Sequence, residues 1–509
     1  MSEQKANTGA WLAVAAGTLG ALMATLDISI VNSSLPTIQG EIGASGTEGT
    51  WIATGYLVAE IVIIPLSGWL ERVFGLRTFL LVVAALFTGF SVLCGLSTTL
   101  GMMIAGRVGQ GFTGGAMIPT AQTIIATRLP RSQQPIGTAM FGATVVLGPI
   151  IGPLIGGWLT ENLSWHYAFF LNVPICLGLI ILLLVGLPHQ KAEPDELLRA
   201  DWIGILGLAA FLGGLTVVLE EGQREQWFSS STIVWLSVVS ACGFVLLMIG
   251  QWTARRPVIR LKLLIDRQFG AVVMMGIVVG MVIYGTSYVI PQFLSQISHY
   301  NALQSGKIVA LMGIPALTLM GFVPLLIRYV DIRVAVGFGL SMLALSAWID
   351  TDLTSQAAGG DFVAGQLIRG VGTIFAMMFL NQAAIQSVGP EHASDAAGLF
   401  NAARNLGGSF ALAGITVLQD KRQWFHERRI EETLSANRGA VQDYLAAQAH
   451  GLDGLPRALR SLGQMIQVQA LTMTYSDLFW VLSVFIGCAI PLVLFLRPLP
   501  QGAAPAAMH

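Results

Sequence analysis

Five ionisable side chains interrupt otherwise apolar runs of this chain: Asp27, Glu60, Arg107, Arg369 and Arg404. An Asp or Arg at the centre of a membrane helix costs roughly 2.5–3.5 kcal/mol, so such a group marks function by default. A carboxyl group in that setting is a proton-exchange site or an anchor for a cationic ligand. The bland alternative is an acid neutralised by an arginine for packing alone. Asp27 sits in the first apolar run and is the leading proton-coupling candidate. Glu60 lies midway between Trp51 and Leu70. It reads as a second protonation site, as an anion attracting cationic compounds, or as an acid hydrogen-bonded to a neighbouring helix. Arg107 is expected to tune a nearby carboxylate. Arg369 and Arg404 either do the same or pair with buried carbonyls. Two acids thus face three arginines within the spans.

Other constellations carry weaker chemistry. Gly148, Pro149, Gly152, Pro153, Gly156 and Gly157 repeat small residues at i, i+4 and i+8. Such a face lets another helix approach closely, and the prolines permit bending. The expectation is a bendable seal between a central cavity and the outer side. Tyr284, Tyr288 and Gln292 share one helical face, which suits a promiscuous amphipathic cavity and equally suits a packing stripe. Asn381 and Gln382 are further substrate-binding candidates. No His-Glu-x-x-His, paired aspartate or serine–histidine motif lies inside the apolar runs, and no P-loop is present, so neither an enzyme nor an ATP-driven pump is expected. No cofactor or metal is implied.

The elements that hold these residues follow from composition. The 509 residues are 54% hydrophobic and 11% charged. Soluble domains carry about 25% charged residues, so this chain cannot build a polar shell around a core of its size. A net charge of −1 gives no case for a nucleic-acid partner. The expected fold class is all-α, a polytopic membrane protein. Fourteen apolar runs are long enough to be spans, beginning at Trp11, Trp51, Thr78, Leu100, Ile136, Trp165, Trp202, Thr232, Phe269, Ile308, Val334, Phe362, Ala393 and Leu478. The seventh ends at Leu219 and the eleventh at Ile349. Basic residues between spans fall on one side, among them Arg72, Arg77, Arg128, Arg260, Arg328 and Arg333, against Arg224 and Lys307 in the short loops of the other. That asymmetry puts both termini in the cytoplasm. Residues 420–477 hold seven acids and seven bases and two amphipathic stripes, Ile430, Leu434, Val441, Leu445 and Leu455, Leu459, Leu462, Ile466. They read as two helices outside the membrane.

Leu70-Glu71-Arg72 to Arg77 and Leu326-Ile327-Arg328 to Arg333 share the pattern L-x-R-x-x-x-[LI]-R. Arg107-Val108-Gly109 and Arg369-Gly370-Val371-Gly372 match at nearly the same offset. A parallel duplication is expected, with six-helix halves at 1–187 and 269–509 and two inserted spans in 188–268.

The motifs together resemble the EmrB/QacA-type fourteen-span drug:proton antiporters of the major facilitator superfamily. Leu26-Asp27-Ile28-Ser29-Ile30-Val31-Asn32-Ser33-Ser34-Leu35-Pro36 is similar to that family's first-span motif. Arg107-Val108-Gly109-Gln110-Gly111 resembles R-x-x-Q-G, and Gly148 to Gly157 resembles the antiporter signature G-P-x-x-G-P-x-x-G-G. Trp165-His166-Tyr167-Ala168-Phe169-Phe170-Leu171-Asn172-Val173-Pro174 and Ala397 to Ser409 resemble its sixth- and thirteenth-span signatures. The cytoplasmic loop departs from G-x-L-x-D-R-x-G-R-[RK]: with Gly68 and Gly75 aligned, Arg72 stands where the acid belongs and Leu76 where an Arg belongs, before Arg77. Glu71 is the nearest replacement acid. The resemblance implies a proton-coupled multidrug efflux antiporter of the cell inner membrane, with small amphipathic substrates and protons as ligands. The alternative is export of one endogenous metabolite or siderophore. It also implies a periplasmic adaptor and an outer-membrane channel as partners, with lipid all round.

Overall fold

The computed structural model describes residues 6–44, 46–130, 132–188, 195–198, 200–254, 257–388, 392–434, 439–448 and 454–497. Several basic residues used for orientation, Lys5, Arg131, Lys191, Arg199, Arg255 and Arg256, lie outside them. In lipid each apolar run must satisfy its own backbone, and every run is helical. The helices are α1 (Thr8–Ile42), α2 (Trp51–Phe74), α3 (Leu76–Gly95), α4 (Leu100–Arg128), α5 (Gln134–Asn162), α6 (His166–Gly186), α7 (Trp202–Glu221) and α8 (Ser231–Thr253). Then follow α9 (Arg267–Gln296), α10 (Leu303–Met320), α11 (Ile332–Ile349), α12 (Val363–Gln386), α13 (Ala393–Thr433) and α14 (Leu455–Phe495). No strand occurs among the described residues. Twelve of these helices are long and apolar enough to cross a membrane. The other two, α4 and α13, are as long but carry buried polar residues, Arg107, Gln110 and Gln122 in one and Asn401 and Arg404 in the other. Large apolar side chains point outward, such as Trp235 and Val245 of α8. In water such a surface would aggregate; in lipid it is solvated.

α1 to α6 pack mainly on one another, and α9 to α14 do likewise. α7 and α8 pair tightly with each other, and α7 also rests on α2 and α13. α10 is kinked at Leu311–Met312 and starts earlier than its apolar run, because an Asn301–Gln304 capping box satisfies its first turn. Helices α2 and α3 are separated by Gly75 alone, whose φ of 76° is the left-handed region that glycine adopts without strain.

The small face of α5 meets α1. Cβ atoms added at Gly148, Gly152 and Gly156 would strike Thr25, Ser29 and Ser33, which are spaced by the same four residues on α1. Gly157 faces open space and Pro149 is exposed, so the contact face is narrower than the motif.

At the arginine-rich end the two helix groups are latched together. Arg72 Nη1 donates to Asp395 Oδ1 at 3.1 Å, and Arg260 lies 3.4 Å from Asp395 Oδ2. Ser394 Oγ donates to Glu71 Oε2 at 2.8 Å and pairs with Thr123 at 3.1 Å. Gly68 is required here, since its Cβ would sit 2.9 Å from the Ser394 side chain. The loop's sign reversal is therefore answered across the interface: Arg72 takes the acid's place, and the acid is Asp395. Arg77 bonds the Leu184 carbonyl of α6 instead. Deeper in the same interface, Gln122 Nε2 donates to Asn381 Oδ1 at 2.7 Å, Asn401 donates to Gln122 at 2.8 Å, and Thr138 donates to Gln382 at 3.1 Å.

α13 and α14 are each 41 residues long, about 60 Å, against about 30 Å for a hydrocarbon core. About a third of α13 and rather more than half of α14 therefore project. Residues 420–477 are the two projections, with a short helix Gly439–Gln448 between them, rather than separate helices. The Ile430–Leu445 stripe is accordingly split between two elements. Arg422 and His426 hold Asp477 at 2.6 and 2.7 Å, tying the projections together.

Two outcomes are expected. Gly156→Leu drives a side chain onto the Ile30 backbone, 2.8 Å from the added Cβ, and should cost about 1–3 kcal/mol and stop transport. Wild-type flux from that variant would show that α5 does not need this contact. Asp395→Asn removes both arginine partners and should loosen the latch more than Arg72→Ala, by about fivefold for a loss of about 1 kcal/mol. The check is the thiol-labelling rate of a cysteine placed at Thr123 in a background lacking the native cysteines.

Candidate functional site

The deepest polar group is built on Asp27, which is fully buried. Arg107 Nη1 of α4 lies 2.5 Å from Asp27 Oδ2. Asp27 Oδ1 accepts from Gln110 Nε2 at 3.0 Å and from Asn172 Nδ2 at 2.6 Å. Both amides also donate to Ser91 Oγ of α3. Arg107 Nε donates to the Ile52 carbonyl of α2 at 3.3 Å, and its guanidinium lies 4.3 Å from the centre of the Tyr56 ring. Five helices meet at one ion pair. Such a pair adds little net stability, yet removing one partner leaves a bare buried charge, at a cost of about 3–5 kcal/mol. The charge on Asp27 thus ties the contacts of all five helices to one ion pair.

Glu60 is buried one helical turn from Tyr56 on α2. It approaches across bare backbone, because a Cβ at Gly115 of α4 would lie 2.8 Å from its Cγ. Its carboxyl lies near Asn405 and within electrostatic reach of Arg404 and Arg107. Asn405 Oδ1 accepts from Tyr284 OH and from Arg404 Nη2, each at 3.3 Å. So Glu60, Arg404 and Tyr284 converge on one amide. Tyr288 and Gln292 stand one turn apart further along α9. Tyr284 is 39% exposed despite these neighbours. α9 packs on α13, as do α2 and α7, but makes few or no contacts with α2 or α7; the space between these helices is the candidate cleft.

The remaining candidates lie elsewhere. Asn381 and Gln382 are in the closed interface described above, not beside the tyrosines. Arg369 does not approach Asp27; its Nη2 lies 2.5 Å from Asp350 Oδ2, and its Nη1 donates to Gln366. Asp350 corrects the charge count, because it adds a third acid against the three arginines. It stands one residue past the eleventh apolar run. Gln110, Asn172 and Asn405 were inside recognised motifs, but neutral amides gave no charge to flag them. No cluster of metal-ligating side chains occurs among the described residues.

Comparison with known proteins agrees with this architecture. The sequence model of the Major Facilitator Superfamily matches residues 17–412. The chain is similar to the colistin resistance protein EmrB of Acinetobacter baumannii, with 33% identity over 494 residues, 96% of each chain. It is similar to the multidrug export protein EmrB of Escherichia coli K12, with 31% identity over 512 residues, 99% of this chain and 98% of that one. The human organic anion transporter MFSD10 superposes with a TM-score of 0.61 at 15% identity, covering 94% of this chain and all of that one, which speaks to the fold alone. These proteins are transporters and not enzymes, and the chain, built of helices in its described residues and knit around a buried Asp–Arg pair, belongs to the Major Facilitator Superfamily in its EmrB-type branch.

Proposed function

We propose that this protein exports amphipathic toxic compounds across the inner membrane in exchange for protons, with Asp27 as the carboxylate that takes up the proton. The observation that carries the reading is the Asp27–Arg107 pair, at the junction of α1, α2, α3, α4 and α6. Relatives named for multidrug export and for colistin resistance support the substrate class. Substrate binds in the cleft bordered by Glu60, Tyr284, Tyr288 and Gln292. Proton uptake releases Arg107 towards its other partners, the Ile52 carbonyl, Gln110 and the Tyr56 ring, and loosens α4 from α1. The α1–α5 glycine face serves as the sliding seal. The closed arginine-rich end and the cleft beyond it fit a shape that releases substrate outward. In this reading two six-helix halves, 1–187 and 269–509, rock about the cleft, with both termini in the cytoplasm and 188–268 as the insertion.

The projections of α13 and α14 dock a periplasmic adaptor that leads to an outer-membrane channel. Leu455 and Leu459 stand exposed on one stripe of α14, an apolar face in need of a partner.

Asp27→Asn keeps the shape of the site and leaves Arg107 three partners, so the protein should insert and fold. Substrate-driven proton exchange in proteoliposomes should fall to background. Wild-type exchange by the Asn variant would remove Asp27 from the coupling. Deleting Arg429 to Ser461 with a short flexible linker should abolish efflux from cells with an outer membrane while purified protein still exchanges protons. Loss of both activities would mean that the projections cap the transporter itself.

A further inference from the structure

Two adjacent acids end α7, and they turn to opposite partners. Glu221 is buried against α2, where Thr54 Oγ1 donates to its Oε1 at 2.7 Å, and Arg224 lies 2.5 Å from its other oxygen. Glu220 turns to α13, where Ser409 Oγ donates to its Oε1 at 2.8 Å. Ser409 is one helical turn beyond Asn405, whose Oδ1 accepts from Tyr284 OH and which lies near Glu60. Glu220 lies within electrostatic reach of both Tyr284 and Tyr288. It therefore borders the same cleft, from a helix outside both six-helix groups.

The charges of the cleft are unequal. Glu60 has Arg404 and Arg107 near it, so its charge is largely answered. Glu220 has no basic partner among the described residues; its charged neighbour is Glu221, already neutralised by Arg224. A cation entering the cleft gains more from Glu220 than from Glu60, and the two tyrosine faces offer it π-electron density. We propose that Glu220 is the residue that selects cationic over neutral substrates, holding the cation between its carboxylate and the Tyr284 and Tyr288 rings. This rests on the exporter reading and gives the inserted helix α7 a part in recognition.

The test compares tetraphenylphosphonium with triphenylphosphine oxide, an uncharged compound of similar bulk, binding to purified full-length protein. Wild-type protein should prefer the cation. Glu220→Gln, which keeps a hydrogen-bonding partner for Ser409, should reduce that preference at least about tenfold, because the Coulomb attraction is lost in a partly desolvated site. Glu220→Asp should retain most of it. Equal weakening of both probes would make Glu220 a strut between α7 and α13 and overturn the proposal. An unchanged ratio in the Gln variant, or no cation preference in the wild type, would overturn it as well. Proton release on probe addition is measured alongside in liposomes. If wild-type protein releases protons with neither probe, the exporter reading itself fails; if it releases them and the ratio is unchanged, only the role of Glu220 fails.

Discussion

The buried pair between Asp27 and Arg107 is the constraint around which the first six helices are arranged. A carboxylate and a guanidinium can share an apolar interior only if their remaining lone pairs and protons are satisfied. Here Gln110, Asn172, Ser91 and the Ile52 carbonyl supply those partners. Each comes with its own helix, so satisfying one ion pair fixes the mutual position of α1, α2, α3, α4 and α6. The glycines of α4 answer to the same demand: Gly111 lets the Tyr56 backbone lie against α4, and Gly115 admits Glu60. A polar centre and a close-packed face are thus two sides of one requirement.

The interface between the two helix groups is built on different physics. At the arginine-rich end, among the described residues, its deeper part consists of neutral amides and hydroxyls, while buried Glu71 and Asp395 stand nearer the edge, Asp395 paired with an Arg72 that is a third exposed. Neutral hydrogen bonds can be exchanged for water at a net cost of about 1 kcal/mol each, whereas a buried ion pair cannot be opened so cheaply. The contact suited to repeated opening is therefore the amide one rather than the Asp27 one.

The helices and the three central charges are legible because cost is visible in a sequence: a charge inside an apolar run stands out. Glu60, Arg107 and Asp27 were found that way. Neutral amides carry no such signal, so Asn405 and Asn172 passed unremarked inside motifs that were themselves recognised. Asp350 and Glu220 were missed for another reason. Each stands one residue beyond the end of an apolar run, at Ile349 and at Leu219, and an acid at a boundary reads as the start of a loop. Folding reverses that reading, because neighbouring helices bury the ends of α11 and α7. Asn381 and Gln382 show the converse limit. Polar residues in a span were expected to line a cavity, and they close an interface instead. Which neighbour a helix face meets is decided by tertiary packing, which no single-helix periodicity contains.

The continuous run of α13 from Arg404 to Thr433 has a mechanical consequence. Residues that hold the cleft and residues that hold the projection are on one unbroken rod. A helix is stiff over this length, so a pivot at the cleft is not absorbed along the way. With about 20 Å of rod beyond the bilayer, a tilt of about 10° at its base sweeps the tip through about 4 Å. Asp477 binds α14 to the same motion through Arg422 and His426. The pair has the form of a lever, in which a shift at its base would reappear enlarged at its far end.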